Sequence, residues 1–197
     1  MAFDIARGEV PTGFTHADFV VRPLTTADTE RDYEAVMASR EQLRVWEQDS
    51  WPADDFTIEA NRDDLRRHQD LHEEGHAFTY TVMSRDETEC LGCVYLFPPE
   101  ARFLAAATVT PVSDGRWGDV DAAVYHWVRT SVLGSGVDRA FFESLRSWMA
   151  EAWPIDHNVF VTNERLTHQV SLMESAGLRL RFGIEEPGKP GRYLAYA

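Results

Sequence analysis

The sequence is short of basic residues, of cysteine and of long apolar runs, and each shortage removes a class of function. Against 33 Asp and Glu stand only 19 Lys and Arg, a formal charge of −14 at pH 7. A nucleic-acid surface needs clustered cations, so no such partner is expected, and the charge suits a cationic or amine ligand better. No apolar run approaches the roughly 20 residues of a membrane-spanning helix, and Met1-Ala2-Phe3-Asp4 is not a basic region leading into an apolar one. The expectation is therefore a chain without membrane contact or signal peptide, located in the cytoplasm. No repeat, low-complexity tract or linker divides the 197 residues, a length that fits one domain with a sizeable core.

The two cysteines, Cys90 and Cys93, have no second pair to complete a zinc site. An offset of three in a regular strand puts side chains on opposite faces, so they read as two small apolar residues. A second metal-like pattern is His72-Glu73-Glu74-Gly75-His76, with His68 one turn earlier. His-Glu-x-x-His works when both histidines lie one turn apart on a helix. Here Gly75 reads as the helix terminator and a strand begins at Ala77. The expectation is solvated histidines at a helix end, and no metal.

What the sequence does have is a strand, a glycine loop and an amphipathic helix over residues 119–153. Val120 to Arg129 is rich in β-branched and aromatic residues. Val137, Ala140, Phe141, Leu145, Trp148, Met149 and Ala152 recur at helical spacing, and Pro154 ends the segment. Between them, Gly134 and Gly136 allow a sharp turn and a close backbone approach. A helix start offers unpaired amides and the positive end of a dipole, so this junction suits an anion such as a pyrophosphate.

Trp127-Val128 followed by Gly134-Ser135-Gly136 at the start of a helix resembles the acetyl-CoA motif of the GNAT N-acetyltransferase superfamily. Leu133 stands where that family usually has Arg or Gln, and Asp138 where it has a small residue. Phe19-Val20-Val21-Arg22-Pro23-Leu24 resembles the family's opening strand, and Leu91-Gly92-Cys93-Val94-Tyr95 the strand before the cofactor strand. The resemblance implies an α/β (α+β) fold, with a mixed, mostly antiparallel sheet of about six or seven strands and helices on both faces. Residues 1–17, with Gly8, Pro11 and Gly13 and little periodicity, read as a flexible lead-in, and the resemblance implies a single GNAT-like domain over 18–197.

In chain order, a helix is expected from Thr26 or Asp28 to about Leu43, then a loop holding Trp46 and Trp51. A second helix is expected from Thr57 to about Glu74, then a hairpin over 77–97. Leu104 to Val109 reads as a strand or as irregular chain. A strand at 158–162, a helix over about 164–176 and a closing hairpin around Pro187-Gly188-Lys189-Pro190-Gly191 complete the reading.

The resemblance implies acetyl-CoA as co-substrate, held by Val128, Gly134, Ser135, Gly136, Val137, Asp138, Arg139 and Asn163. Trp46 and Trp51 would lie beside the acceptor. Attack of an amine on a thioester needs a base, and Asp121, Tyr125 and His126 on the central strand are the candidates. Met173 replaces the family's proton-donating Tyr. The implied activity is acetyl transfer from acetyl-CoA to a primary amine, of a small molecule or a protein N-terminus, by direct attack in a ternary complex. A GNAT-fold ligand-binding module without catalysis is the alternative, supported by Leu133, Asp138 and Met173. A homodimer paired through a sheet edge is a further expectation.

Overall fold

A computed structural model describes Phe3 and residues 9–197. The expected lead-in over 1–17 therefore lies partly outside the described residues; within them, β1 (Phe14–Thr15) pairs with β2 (Phe19–Pro23). Then come α1 (Thr29–Ala38), α2 (Arg40–Glu47), α3 (Ile58–Glu73), β3 (Phe78–Ser84), β4 (Cys90–Phe97), α4 (Arg102–Ala105) and β5 (Thr108–Pro111). The second half holds β6 (Ala122–Val128), α5 (Val137–Ala152), β7 (Asn158–Asn163), α6 (Thr167–Ser175), β8 (Leu180–Glu185) and β9 (Tyr193–Tyr196).

Nine strands of the described residues form one sheet, ordered β1-β2-β3-β4-β6-β7-β9-β8-β5. That is more than the six or seven expected, because the short edge strands β1 and β5 carry weak sequence signals. Every neighbouring pair is antiparallel except β6 and β7. Those two pair in parallel from Ala122↔Asn158 to Tyr125↔Val161 and then part.

Side chains alternate across a strand, so the sheet buries two apolar layers. On one face Phe141, Phe142, Leu145, Trp148 and Met149 of α5, with Met173 of α6, pack on Val82, Val94, Val124 and Phe160. On the other, Val36 of α1, Leu43 and Trp46 of α2 and Leu65 of α3 pack on Cys93, Tyr125, Trp127 and Val161. The sheet is thus covered on both faces, as expected.

The helix expected from residue 26 or 28 to Leu43 is instead two. It breaks at Ser39 (φ −114°, ψ 11°), whose buried hydroxyl accepts the Thr130 amide at 3.0 Å. The break lays α2 across the end of β6, and it places Trp46 in a helix rather than in a loop. The ambiguous segment resolves as α4 followed by β5, which pairs with β8 at the sheet edge.

The entry to α1 is held by charge. Asp28 is 1% exposed and accepts two bonds from the Arg22 guanidinium, at 2.7 and 2.9 Å, and one from Arg31 at 2.9 Å. Burial alone would raise the Asp28 pKa, but Arg22 and the Thr25 amide outweigh it and hold the carboxyl below its ordinary range. Removing one partner of a buried pair leaves a charge without compensation. Arg22→Met is therefore expected to cost roughly 3 kcal/mol, read as a lower urea midpoint with an unchanged slope.

Candidate functional site

A cavity of about 550 Å³ opens on the face covered by α1, α2 and α3. Its wall is aromatic: Trp46 from α2, Tyr95 and Phe97 from β4, Phe103 from α4, Tyr125 from β6 and Tyr193 from β9, with Trp51 from the connection after α2. The rings form a connected set around Tyr125, with centroids 5.9 Å from Phe97, 6.0 Å from Phe103, 6.3 Å from Tyr193 and 6.4 Å from Trp46. The buried Tyr125 hydroxyl and Trp46 indole N–H have no hydrogen-bond partner among the described residues. Burial pushes the Tyr125 hydroxyl pKa well up, so it stays protonated at neutral pH.

Acid dominates the polar part of the wall: Asp32, Glu47, Asp49, Asp64 and Glu186, against Arg67, His68 and Lys189. Lys189 is the only lysine in the chain. Its ammonium donates to the Glu47 backbone carbonyl at 2.6 Å and lies 3.5 Å from the Glu47 carboxylate and 3.4 Å from that of Asp49. Burial raises Glu186 to about 7; Lys189 partly offsets this and Glu47 adds to it. Glu47 is raised for the same reason, with Lys189 opposing. Burial also lowers His68 to about 4, so that ring is neutral where it packs 5.2 Å from Tyr95. Two cations, Lys189 and Arg67, against five carboxyl groups leave the cavity wall with an excess of acid.

The gap between β6 and β7 beyond Tyr125 and Val161 is the second feature. Its free volume is about 80 Å³, because side chains fill it. Gln169 of α6 spans it, its amide donating to the His126 carbonyl at 2.9 Å and its oxygen accepting the Thr162 hydroxyl at 2.5 Å. Gln42 of α2 donates to the Val128 carbonyl at 3.4 Å, and Asn163 to the Val45 carbonyl at 2.5 Å. At the mouth, Gly134 (φ 70°) and Gly136 (φ 92°) adopt the left-handed conformation, with open space around both. Asp138 then folds back over this loop. It accepts the Gly134 amide at 2.9 Å, the Arg139 amide at 2.9 Å and a bond from His168 at 2.6 Å. Burial alone would raise its pKa, but these three donors hold it below the ordinary range.

Coenzyme A would need the loop amides for its pyrophosphate and the parted edge of β6 for its arm. The Gly134 and Arg139 amides are taken by a carboxylate carried on the chain itself, and the His126 and Val128 carbonyls by glutamines. A diphosphate would also meet that carboxylate without the Arg or Gln that Leu133 replaces. In this conformation Asp138, Gln42 and Gln169 occupy places that coenzyme A would use.

The structure does not bring the three catalytic candidates together. Tyr125 lines the cavity, while His126, the next residue on β6, faces α5 and stacks on Phe142 at 5.3 Å. Burial drops His126 to about 3, leaving it neutral. Asp121 sits at the far end of the strand, accepting the Asp156 and His157 amides. Of the other candidates, Val128 ends β6, Ser135 bonds the Val132 carbonyl, Val137 opens α5, Arg139 is exposed, and Trp46 and Trp51 do meet at the cavity. Sequence reasoning missed Glu47, Glu186 and Lys189. The one available signal was Glu185-Glu186 followed by a loop with the sole lysine.

The metal-like patterns also resolve. His76 lies beyond the left-handed Gly75 (φ 69°), and His72 bonds the Thr79 backbone while packing against Phe78 and Tyr80. His68 and His72 are thus half-buried rather than solvated. Cys90 and Cys93 do not face opposite sides. A bulge at Leu91, opposite Val82 and Met83, shifts the register so that both point at α1. No helix among the described residues is long and apolar enough to cross a membrane.

Neither a family model nor a curated relative matches the sequence. Solved structures do match. A ribosomal-protein-S5-alanine acetyltransferase from Vibrio fischeri is 17% identical, with a TM-score of 0.69 over 94% of this chain and 95% of that one. The ribosomal L7/L12 α-N-protein acetyltransferase RimL, in complex with coenzyme A, is 14% identical, with a TM-score of 0.68 over 95% of each chain. The microcin C7 self-immunity acetyltransferase MccE, in complex with acetyl-CoA and AMP, is 12% identical, with a TM-score of 0.69 over 95% and 96%.

Ligand that binds only the folded state at a hundredfold its dissociation constant adds about 2.7 kcal/mol. In a thermal melt, millimolar coenzyme A is expected to leave the Tm of the wild-type chain unchanged. Asp138→Gly, which frees the Gly134 amide and removes the opposing charge, is expected to restore a small rise. A rise of several degrees in the wild type would show that Asp138 and the glutamines yield to the cofactor.

Proposed function

The fold is that of the GNAT acetyltransferases, and on it we propose a binding protein for an organic cation or amine. The observation that carries this reading is the aromatic cavity with its excess of carboxylate. A cation over the face of Trp or Tyr gains about 0.5–1 kcal/mol when exposed and about 2 or more when desolvated. Trp46, Trp51, Tyr95 and Tyr125 are the rings in the wall that could take this part. Glu47 and Glu186 supply the opposing charge, and Lys189 holds the 186–192 loop against α2 through the Glu47 carbonyl. Tyr193 donates to that same carbonyl at 2.9 Å.

A second reading is favoured by one observation: β6 parts from β7 directly beyond Tyr125, which lines the cavity. An amine bound there would lie beside the gap, as an acyl acceptor would. The fold neighbours are named as acetyltransferases of ribosomal proteins and of a microcin-immunity system, two of them with coenzyme A or acetyl-CoA bound. Acetyl transfer to a primary amine of a small molecule or a protein N-terminus follows if the gap opens and Asp138 turns away. In either case the acceptor group is basic.

A titration of choline, followed by the fluorescence of Trp46 and Trp51, tests the first reading. Choline is expected to bind and its neutral carbon isostere, 3,3-dimethylbutan-1-ol, to bind at least tenfold more weakly. Equal affinities would overturn the proposal. Affinity for the cation should rise as the pH passes upward through about 7, where Glu186 ionises, and Glu186→Gln should flatten that rise. The same raised pKa has a sign for stability. Between the ordinary 4.5 and about 7 the folded state holds the Glu186 proton more firmly than the unfolded state. Without ligand, this group's contribution therefore falls as pH rises across that window, and Glu186→Gln removes the dependence.

A further inference from the structure

We infer that Asp32, Cys90 and Cys93 form a binding site for a thiophilic divalent cation of the zinc type. The three donor atoms lie within 4.8 Å of one another, and all three residues are buried, at 3%, 0% and 1% exposure. Asp32 Oδ1 is 3.5 Å from the Cys93 sulfur and 4.0 Å from the Cys90 sulfur. A tetrahedral ion with bonds of about 2.3 Å to sulfur and about 2.0 Å to oxygen separates those ligands by about 3.5 Å. The triangle is therefore close to that of three ligands around an ion.

The bulge at Leu91 creates this arrangement. Without it, one sulfur would face the α5 side of the sheet; with it, Leu91 takes that side and both sulfurs meet α1. Chemistry supports the site as well. The second carboxylate oxygen accepts the Asn61 amide at 2.9 Å, but among the described residues Oδ1 has only the two thiols, which are weak donors. A divalent ion would release both thiol protons to solvent and bind two thiolates and the carboxylate. Asp32 lines the large cavity, which supplies an entry path and room for a fourth ligand, such as water.

The competing account gives the thiols no role beyond hydrogen bonding to Asp32. Adding one equivalent of Co²⁺ to the reduced wild-type protein separates the two. The metal site predicts thiolate-to-cobalt charge-transfer absorption that Zn²⁺ bleaches, and Zn²⁺ protection of both thiols from a thiol reagent. Cys93→Ala and Asp32→Asn, checked for folding by circular dichroism, should lose the absorption. If excess Co²⁺ gives no charge-transfer band and Zn²⁺ leaves the rate of thiol modification unchanged, the inference is overturned. Because the readout uses the metal alone, it stands or falls separately from ligand binding in the cavity.

Discussion

A single parallel strand pair, β6 with β7, holds for four residues and then opens, and both functional features take their positions from it. Parallel strands need a long crossover connection, and here α5 supplies it, crossing one face with Phe141, Phe142 and Leu145 buried. Because side chains alternate along β6, Tyr125 falls on the cavity side and His126 on the α5 side. That alternation decides which of two adjacent polar residues meets a ligand. It also explains why His126, with an unshifted preference near neutrality, is neutral down to about 3: its ring is sealed between Phe142 and Gln169.

The opened end of that pair is closed again by side chains. A helix start attracts an anion, and in this chain the anion is Asp138, two residues into α5. The Gly134 amide, the Arg139 amide and His168 together satisfy it. Gln169 does the same for the strand edge. These are inexpensive contacts individually, on the order of 1 kcal/mol each, but together they occupy the places a nucleotide cofactor would use. The opposite face has no such plug. There the rings and carboxylates around Tyr125 line open volume, five carboxyl groups against Lys189 and Arg67.

Much of the fold was legible because its signals are local. The periodic apolar face of α5, the Thr57 cap of α3, which accepts the Ala60 amide, and the turn-bounded strands β3, β4, β7, β8 and β9 all read directly. The resemblance carried by Trp127-Val128 and Gly134-Ser135-Gly136 matches the fold found. What was not legible depends on distant partners. The break at Ser39 answers to Thr130, and the bulge at Leu91 shows only in the pairing of β4 with β3. The cavity was half visible: Trp46 and Trp51 were read as ligand-facing, although Trp46 proved helical. Glu186 and Lys189 were not, because a charged turn near a chain end reads as solvated until folding brings it against α2. Asp138 was read as a departure from the family's small residue, and the structure shows it bonded to the Gly134 and Arg139 amides and to His168.

Crystals grown with both choline and coenzyme A at saturating concentration test the central claim most directly. The account predicts the cation among Trp46, Trp51, Tyr95 and Tyr125, beside Glu186, with the Asp138 to His168 and Gln169 to His126 bonds intact and no coenzyme A between β6 and β7. Coenzyme A lying along β6 with its pyrophosphate on the Gly134 and Gly136 loop, and Asp138 turned outward, would contradict it and establish the transferase reading instead.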